Sequence, residues 1–276
     1  MVPSSQNPTT PNASPHSPAP ESAPRKGSPR ASEFRNAPKM SDPEYRYPVS
    51  KNPYWERLKE FEGRIFWDNH TEEHLGHWRQ KFPCTQNSPL SPEARRPLHV
   101  ELGCNGGHVT LEWAARDPQA LFIGLDWKHK QIHRGAEKAL KRKIDNLLFF
   151  RANSERLRFV FGEGEIDHLY LYFPDPWAKK SQLKNRWLTT HRLREVAPLV
   201  RTGGTFHIKT DHAGYYEWMC EALNGALDLW TIEENTANLH AAHPDPRSLK
   251  IPDVTLFERL FIADGLPVHS IRLKRR

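Results

Sequence analysis

Cysteine is scarce in this chain. The three present, Cys84, Cys104 and Cys220, form no CxxC pair and no metal spacing. That excludes a disulfide framework and a zinc ribbon, and it suits a reducing, intracellular setting, so a cytoplasmic protein is expected. No run of about 18 apolar residues occurs, so neither a transmembrane helix nor a membrane partner is expected. The first residues lack a basic start followed by an apolar core, which argues against a secretory signal, and they lack the early arginines of a transit peptide. No serine sits in a GxSxG elbow, and no P-loop is found. His99, His108, His207 and His212 fall near predicted strand ends but form no HxxxH or HxH pair, so no metal centre is expected. Apolar residues make up only 37% of the chain. That is little for a chain packed along its whole length.

Proline and positive charge are plentiful instead. There are 24 prolines, and the net charge is +7 over 276 residues. Such a balance suits a polyanionic partner, with nucleic acid first. Residues 1–50 are rich in Pro, Ser, Ala and Asn, and hold too few apolar side chains to offset the entropy of ordering them. This stretch reads as a disordered tail, made basic in its second half by Arg25, Lys26, Arg30, Arg35 and Lys39. It is either an arm that touches phosphates or a solvated tail.

Residues 51–97 read as an N-terminal helical extension. Tyr54, Leu58, Phe61 and Ile65 recur at helical spacing, and Thr71 is a candidate N-cap with Glu72 and Glu73 in its first turn. His74, Leu75, Trp78 and Phe82 would follow on one face, before a proline-rich loop. From residue 98 strands and helices alternate. Strands are predicted at 98–102, 120–125, 147–151, 166–173 and 205–209, the last entered through a turn at Gly203-Gly204. Helical stretches are predicted at 109–116, 128–143, 154–161, 186–199 and 214–227. Two further strands, 255–262 and 268–273, close the chain around Asp264-Gly265. The alternation predicts an α/β fold over residues 98–276, a Rossmann-like, doubly wound and mostly parallel sheet with an antiparallel C-terminal edge.

The stretch Glu101-Leu-Gly-Cys-Asn-Gly-Gly107 is the organising motif. A strand, a glycine turn and a helix bring backbone N–H groups close to a nucleotide-like ligand. Glu101 sits inside the strand, two residues before Gly103. Its carboxylate would repel a pyrophosphate and attract a ligand carrying an amine, which favours S-adenosylmethionine over NAD. The turn also lacks the GxGxxG spacing. Asp126, at the second strand's end, can accept both hydroxyls of a ribose, a role that suits either cofactor. Asn153, at the third, either hydrogen-bonds an adenine edge or caps a helix. Asn105 tolerates the left-handed conformation that such a turn needs.

The fourth strand ends in Phe173-Pro-Asp-Pro-Trp177. Two prolines stiffen the chain beside Asp175, whose carboxylate can accept from guanine N1–H and N2–H₂. Trp177 offers a stacking surface. Lys179, Lys180, Lys184 and Arg186 would meet phosphates. The fifth strand ends in Lys209-Thr210-Asp211.

These residues resemble a known family. Glu101-Leu-Gly-Cys-Asn-Gly-Gly107, Phe173-Pro-Asp-Pro-Trp-Ala-Lys179, Lys184-Asn-Arg186, Thr210-Asp211 and Thr255-Leu-Phe-Glu258 are similar to the motifs of the tRNA (guanine-N7-)-methyltransferases of the bacterial TrmB type, from about residue 98 onward. The resemblance implies a class I S-adenosylmethionine-dependent fold that methylates a guanine in the tRNA variable loop; a monomer or homodimer is expected. It implies Glu101, Gly103, Asp126, Asn153 and Asp175 on the cofactor side, with Asp175 also catalytic. It implies Lys179, Asp211, Thr255, Leu256, Phe257 and Glu258 on the substrate side. Leu256 replaces the family's usual lysine, Asn105 a common glycine and Asn153 a common acid. The alternatives are a methyltransferase acting on another RNA and a non-catalytic RNA-binding subunit of the same fold.

Overall fold

The computed structural model describes residues 38–83, 95–244 and 254–276. Most of the predicted tail, the loop containing Cys84 and the side chain of Leu256 lie outside the described residues. Chain contacts separate Met1–Pro38 from a body, Lys39–Arg276, and the body is described below.

Eight strands form one sheet: β1 (Ile65–Trp67), β2 (Leu98–Leu102), β3 (Leu121–Asp126), β4 (Leu147–Arg151), β5 (Ile166–Tyr172), β6 (Val200–Thr210), β7 (Trp230–Thr236) and β8 (His269–Arg275). Their order is β1-β4-β3-β2-β5-β6-β8-β7. The first six are parallel. β8 runs antiparallel between β6 and β7. The helices are α1 (Pro53–Arg57), α2 (His108–Arg116), α3 (His129–Lys141), α4 (Leu157–Val160), α5 (Thr190–Val196), α6 (Ala213–Asn224), α7 (Leu239–Ala242) and α8 (Leu256–Ala263).

The central strands are apolar almost throughout because both faces are covered. On one face Val100, Ile123, Phe150, Leu169 and Phe206 pack with Leu157 of α4, Leu193 of α5 and Met219 of α6. On the other, Phe122, Phe149 and Tyr170 pack with Leu111 and Trp113 of α2 and Ile132 and Ala136 of α3. Phe149 fixes the spacing there. A Cβ added at Gly135 or Gly107 would stand 2.6 or 2.7 Å from its ring. Only glycine lets α3 and the turn before α2 come this close to the sheet.

Five local expectations are corrected. Ile65 does not continue a helix: α1 stops at Arg57, a 3-10 turn follows, and Ile65 enters β1, which pairs with β4. Thr71 lies inside a 3-10 turn and donates its hydroxyl to the Asp68 carbonyl rather than capping a helix. The helix expected from residue 186 begins at Thr190, capped by the Thr189 side chain. Gly203-Gly204 lies inside β6 as a bulge, where the register with β5 shifts between Ile166 and His168. The predicted strand 255–262 is helix α8. Thr255 and Glu258 close a capping box at its start, and that local bonding outweighs the apolar run. The antiparallel edge is made instead by β8 with β7, a strand whose solvated face hid its pattern.

Candidate functional site

The strand order reverses between β2 and β5: β3 and β4 extend one way from β2, and β6 extends the other way from β5. Ligands of doubly wound sheets bind outside the carboxyl ends of the strands at such a point. The register aligns those ends. Leu102 pairs with Leu125 and with Leu171, Asp126 with Arg151, and Tyr172 with Lys209. The expected residues Glu101, Gly103, Asp126, Asn153, Asp175 and Asp211 therefore fall along one edge.

Glu101 is buried, and Thr110 of α2 donates its hydroxyl to the carboxylate. No basic side chain among the described residues pairs with it. Burial pushes its pKa up to about 7, the Thr110 hydrogen bonds pull the other way, and the Asp126 charge adds to the rise. A buried carboxylate without a cation is costly, and such groups concentrate at functional sites. Gly103, at φ +75°, follows directly, and a Cβ there would meet nothing within 4 Å. The positive φ, not crowding, is what calls for glycine there.

Asp126 is also buried, and both its oxygens hold loops. Oδ2 accepts from the Asn105 N–H at 3.0 Å and Oδ1 from the Lys128 N–H at 2.8 Å. Asn105 takes φ +53°, so it holds the turn through its backbone while its side chain stays exposed. Asn153 caps the 3-10 turn after β4, its Oδ1 accepting from the Glu155 N–H at 2.8 Å.

The loop after β5 is tightly held. Phe173 and Trp177 both sit at positive φ, +51° and +43°, where non-glycine residues are strained by about 1–3 kcal/mol each. The Phe173 N–H donates to the Lys209 carbonyl at 2.8 Å. Arg186 donates to the Pro176 carbonyl at 2.8 Å and the Gly214 carbonyl at 3.1 Å, and its guanidinium lies over the rings of Tyr215 and Trp218. Arg186 is thus buried and structural, not a phosphate contact, because the loop carbonyls need its donors. Asp175 is exposed, with no hydrogen bond or ion pair to the described residues. Lys179, Lys180 and Lys184 beside it are likewise exposed and unpaired, and so is Asp211 at the end of β6.

The element Thr255-Leu-Phe-Glu258 divides. Thr255 and Glu258 are buried and bonded to each other: the Thr255 N–H donates to Glu258 Oε2 at 2.7 Å, and the Glu258 N–H donates to Thr255 Oγ1 at 3.0 Å. Glu258 Oε1 takes Lys209 Nζ at 2.7 Å, a pair with both side chains buried. Phe257 is 57% exposed, its ring 6.1 Å from that of Phe173. α8 is therefore locked to the ends of β5 and β6. Breaking a buried pair leaves an uncompensated charge. Lys209→Met or Glu258→Leu alone is expected to cost about 3–5 kcal/mol, and the double variant much less than the sum. Urea unfolding of the three variants reads this directly.

Sequence reading missed Thr110 and Tyr47, and it placed Lys209 at a strand end without showing that it is buried and paired. Thr110 had a signal, lying nine residues after Glu101 in the helix that the turn starts. Tyr47 had none, because its hydroxyl accepts the N–H of Asn153, 106 residues away. Among the described residues no group of three or more His, Cys, Asp or Glu could hold a metal ion, and no helix is long and apolar enough to cross a membrane.

The edge therefore carries two buried acids, Glu101 and Asp126, the capping Asn153, and an exposed acid, Asp175, on a tightly held loop. Residues 95–270 match the family described as "Putative methyltransferase", which makes methyl transfer the class of chemistry. The tRNA (guanine-N(7)-)-methyltransferase of Christiangramia forsetii is 31% identical over 64% of this chain and 78% of its own. That of Bdellovibrio bacteriovorus is 26% identical over 72% and 90%, and that of Macrococcus caseolyticus 33% over 54% and 70%. Among solved structures, the 16S rRNA methyltransferase KamB aligns with a TM-score of 0.48 at 19% identity, over 65% of this chain and 88% of that one. The chain belongs to the tRNA (guanine-N(7)-)-methyltransferase family.

Proposed function

We propose that the protein binds S-adenosylmethionine along this edge and methylates N7 of a guanine in the variable loop of tRNA. The observation that carries the reading is Glu101, a buried carboxylate with no cation of its own at the strand-order reversal. When bound, S-adenosylmethionine supplies an electrophilic methyl group. Glu101 receives its ammonium end, Gly103 leaves room above the turn, and Asp126 and Asn153 lie toward its nucleoside.

Guanine N7 bears an in-plane lone pair and no proton, so attack on a methyl group needs no general base. What the residues must do is align the base and balance the positive charge that appears on it. Asp175 does both. Its free carboxylate accepts from the guanine N1–H and N2–H₂ and faces the growing charge. Arg186 holds this loop against the strain at Phe173 and Trp177, and so keeps Asp175 in position. Lys179, with Lys180 and Lys184, meets tRNA phosphates, and Asp211 lines the substrate side. Thr255 and Glu258 act on substrate through α8, which they pin, leaving exposed Phe257 to touch RNA.

Incubation with bulk tRNA and methyl-labelled donor, followed by digestion to nucleosides, tests the reading. 7-Methylguanosine is expected. Another methylated nucleoside would move the acceptor elsewhere, and no label in RNA would favour a non-catalytic RNA-binding subunit.

A further inference from the structure

Residues 39–50 lie outside the stretch that matches the family, and the reading above gives them no role. They are fastened beyond the carboxyl ends of β1 and β4, by Asn69 and by residues 153–158. Arg156 is fully buried. Its Nη1 donates to the carbonyls of Met40 and Asp42 at 2.7 and 2.8 Å, while Nε and Nη2 grip the two oxygens of Glu72. Arg158 donates to the Ser41 carbonyl. Further along, the Tyr47 N–H donates to Asn69 Oδ1 at 3.2 Å, and the Tyr47 hydroxyl accepts the Asn153 N–H at 2.9 Å.

The Arg151 guanidinium lies over the Tyr47 ring at 5.4 Å. The same guanidinium donates to the Trp127 carbonyl at 3.0 Å and pairs with Asp68. Asp126 and Arg151 are register partners, so Tyr47 stands one strand away from the ribose-side acid. One phenol is thus seated on the backbone N–H of Asn153, under a guanidinium that also reaches the Trp127 carbonyl. Its oxygen accepts a hydrogen bond, and nothing among the described residues accepts its proton.

A purine ring offers bare nitrogens, which are hydrogen-bond acceptors. We propose that residues 39–50 form the nucleoside-side wall of the cofactor pocket, and that the Tyr47 hydroxyl donates to a ring nitrogen of the cofactor's adenine. This rests on the reading that the nucleoside lies toward Asn153. The wall is a segment that the matched core lacks, added at the strand end where the chain carries Asn153.

The test uses the full chain and S-adenosylhomocysteine, which binds without reacting, so its Kd is independent of any methyl acceptor. By calorimetry, Tyr47→Phe is expected to weaken binding about fivefold to tenfold, the worth of one hydrogen bond, with tRNA affinity unchanged. Binding within about twofold of wild type would overturn the proposal, since it would assign that bond no weight. A second measurement needs no variant. Arg46 is exposed, so the Arg46–Tyr47 bond becomes a trypsin site when the segment opens, and S-adenosylhomocysteine is expected to slow the release of the fragment that starts at Tyr47. Cleavage at the same rate with and without it would overturn the wall. Wild-type protein that bound no S-adenosylhomocysteine would overturn the functional reading as well, whereas wild-type binding with an unaffected Tyr47→Phe variant would overturn the Tyr47 proposal and leave that reading standing.

Discussion

Asp175→Asn is expected to lower kcat by about 100-fold or more while leaving the Kd of cofactor and tRNA within about threefold. The substitution keeps the shape of the side chain and removes its charge. If Asp175 balances charge on the methylated guanine, the loss falls on the transition state, where that charge develops, and binding stays close to wild type. The side chain has no partner among the described residues to lose, so the fold should not change. Single-turnover methylation of tRNA, with separate binding titrations, separates the two quantities. Near-full kcat in a variant that binds both ligands would remove Asp175 from the chemistry. Equal losses in kcat and tRNA affinity would make it a docking contact.

Glu101→Gln is expected to have opposite effects on binding and on stability. The Glu101 pKa is pushed from 4.5 up to about 7 by burial. The folded protein therefore keeps a proton that the unfolded chain releases between pH 4.5 and pH 7. Stability of the ligand-free protein should fall as pH rises through that window, by about 3 kcal/mol in all. The glutamine variant lacks this penalty, so without ligand it should be the more stable protein at pH 8 and little different at pH 4. Cofactor binding runs the other way. A cationic ligand needs the carboxylate charged, so wild-type affinity should weaken as pH falls below about 7, approaching tenfold per pH unit. Glu101→Gln should bind at least about tenfold more weakly at pH 8 and lose that dependence. Urea unfolding at both pH values and cofactor titrations across pH 5–8 check the two signs. A pH-independent wild-type Kd would remove Glu101 from the cofactor site.

These two effects arise from the same device. Glu101 is paid for in stability by the free protein because Thr110 alone meets its carboxylate in the described structure, and Asp175 is held exposed by a loop with two strained residues. In both places the fold holds a carboxylate where, without ligand, it has no full set of partners. That is the pattern expected where function outweighs local stability.

Much of the sheet was legible in the sequence because β2, β3, β4 and β5 are buried on both faces and read as apolar runs between turns. The candidate site was legible for a similar reason, since acids and glycines at the ends of such runs stand out from their surroundings. β1 and α8 were not. The apolar residues of β1 sit at a spacing that a helix also uses, and only pairing with β4 decides between them. In α8 the Thr255–Glu258 capping signal was present in the sequence, but an unbroken apolar run suggested a strand.

The sequence by itself determined the α/β alternation, the acids at the strand ends and the family resemblance, because these depend on residue type and near spacing. The tertiary structure decided which polar side chains are free to act. Arg186, Thr255 and Glu258 lie in stretches that read as substrate-facing, yet their donors and acceptors are consumed inside the fold. Asp175 and Lys179, in the same kind of stretch, are not. Tyr47 read as tail and stands at the end of β4. Local sequence fixes what a side chain can bond to, but partners 49 and 106 residues away in the chain, as for Lys209–Glu258 and Tyr47–Asn153, are assigned only when the sheet closes.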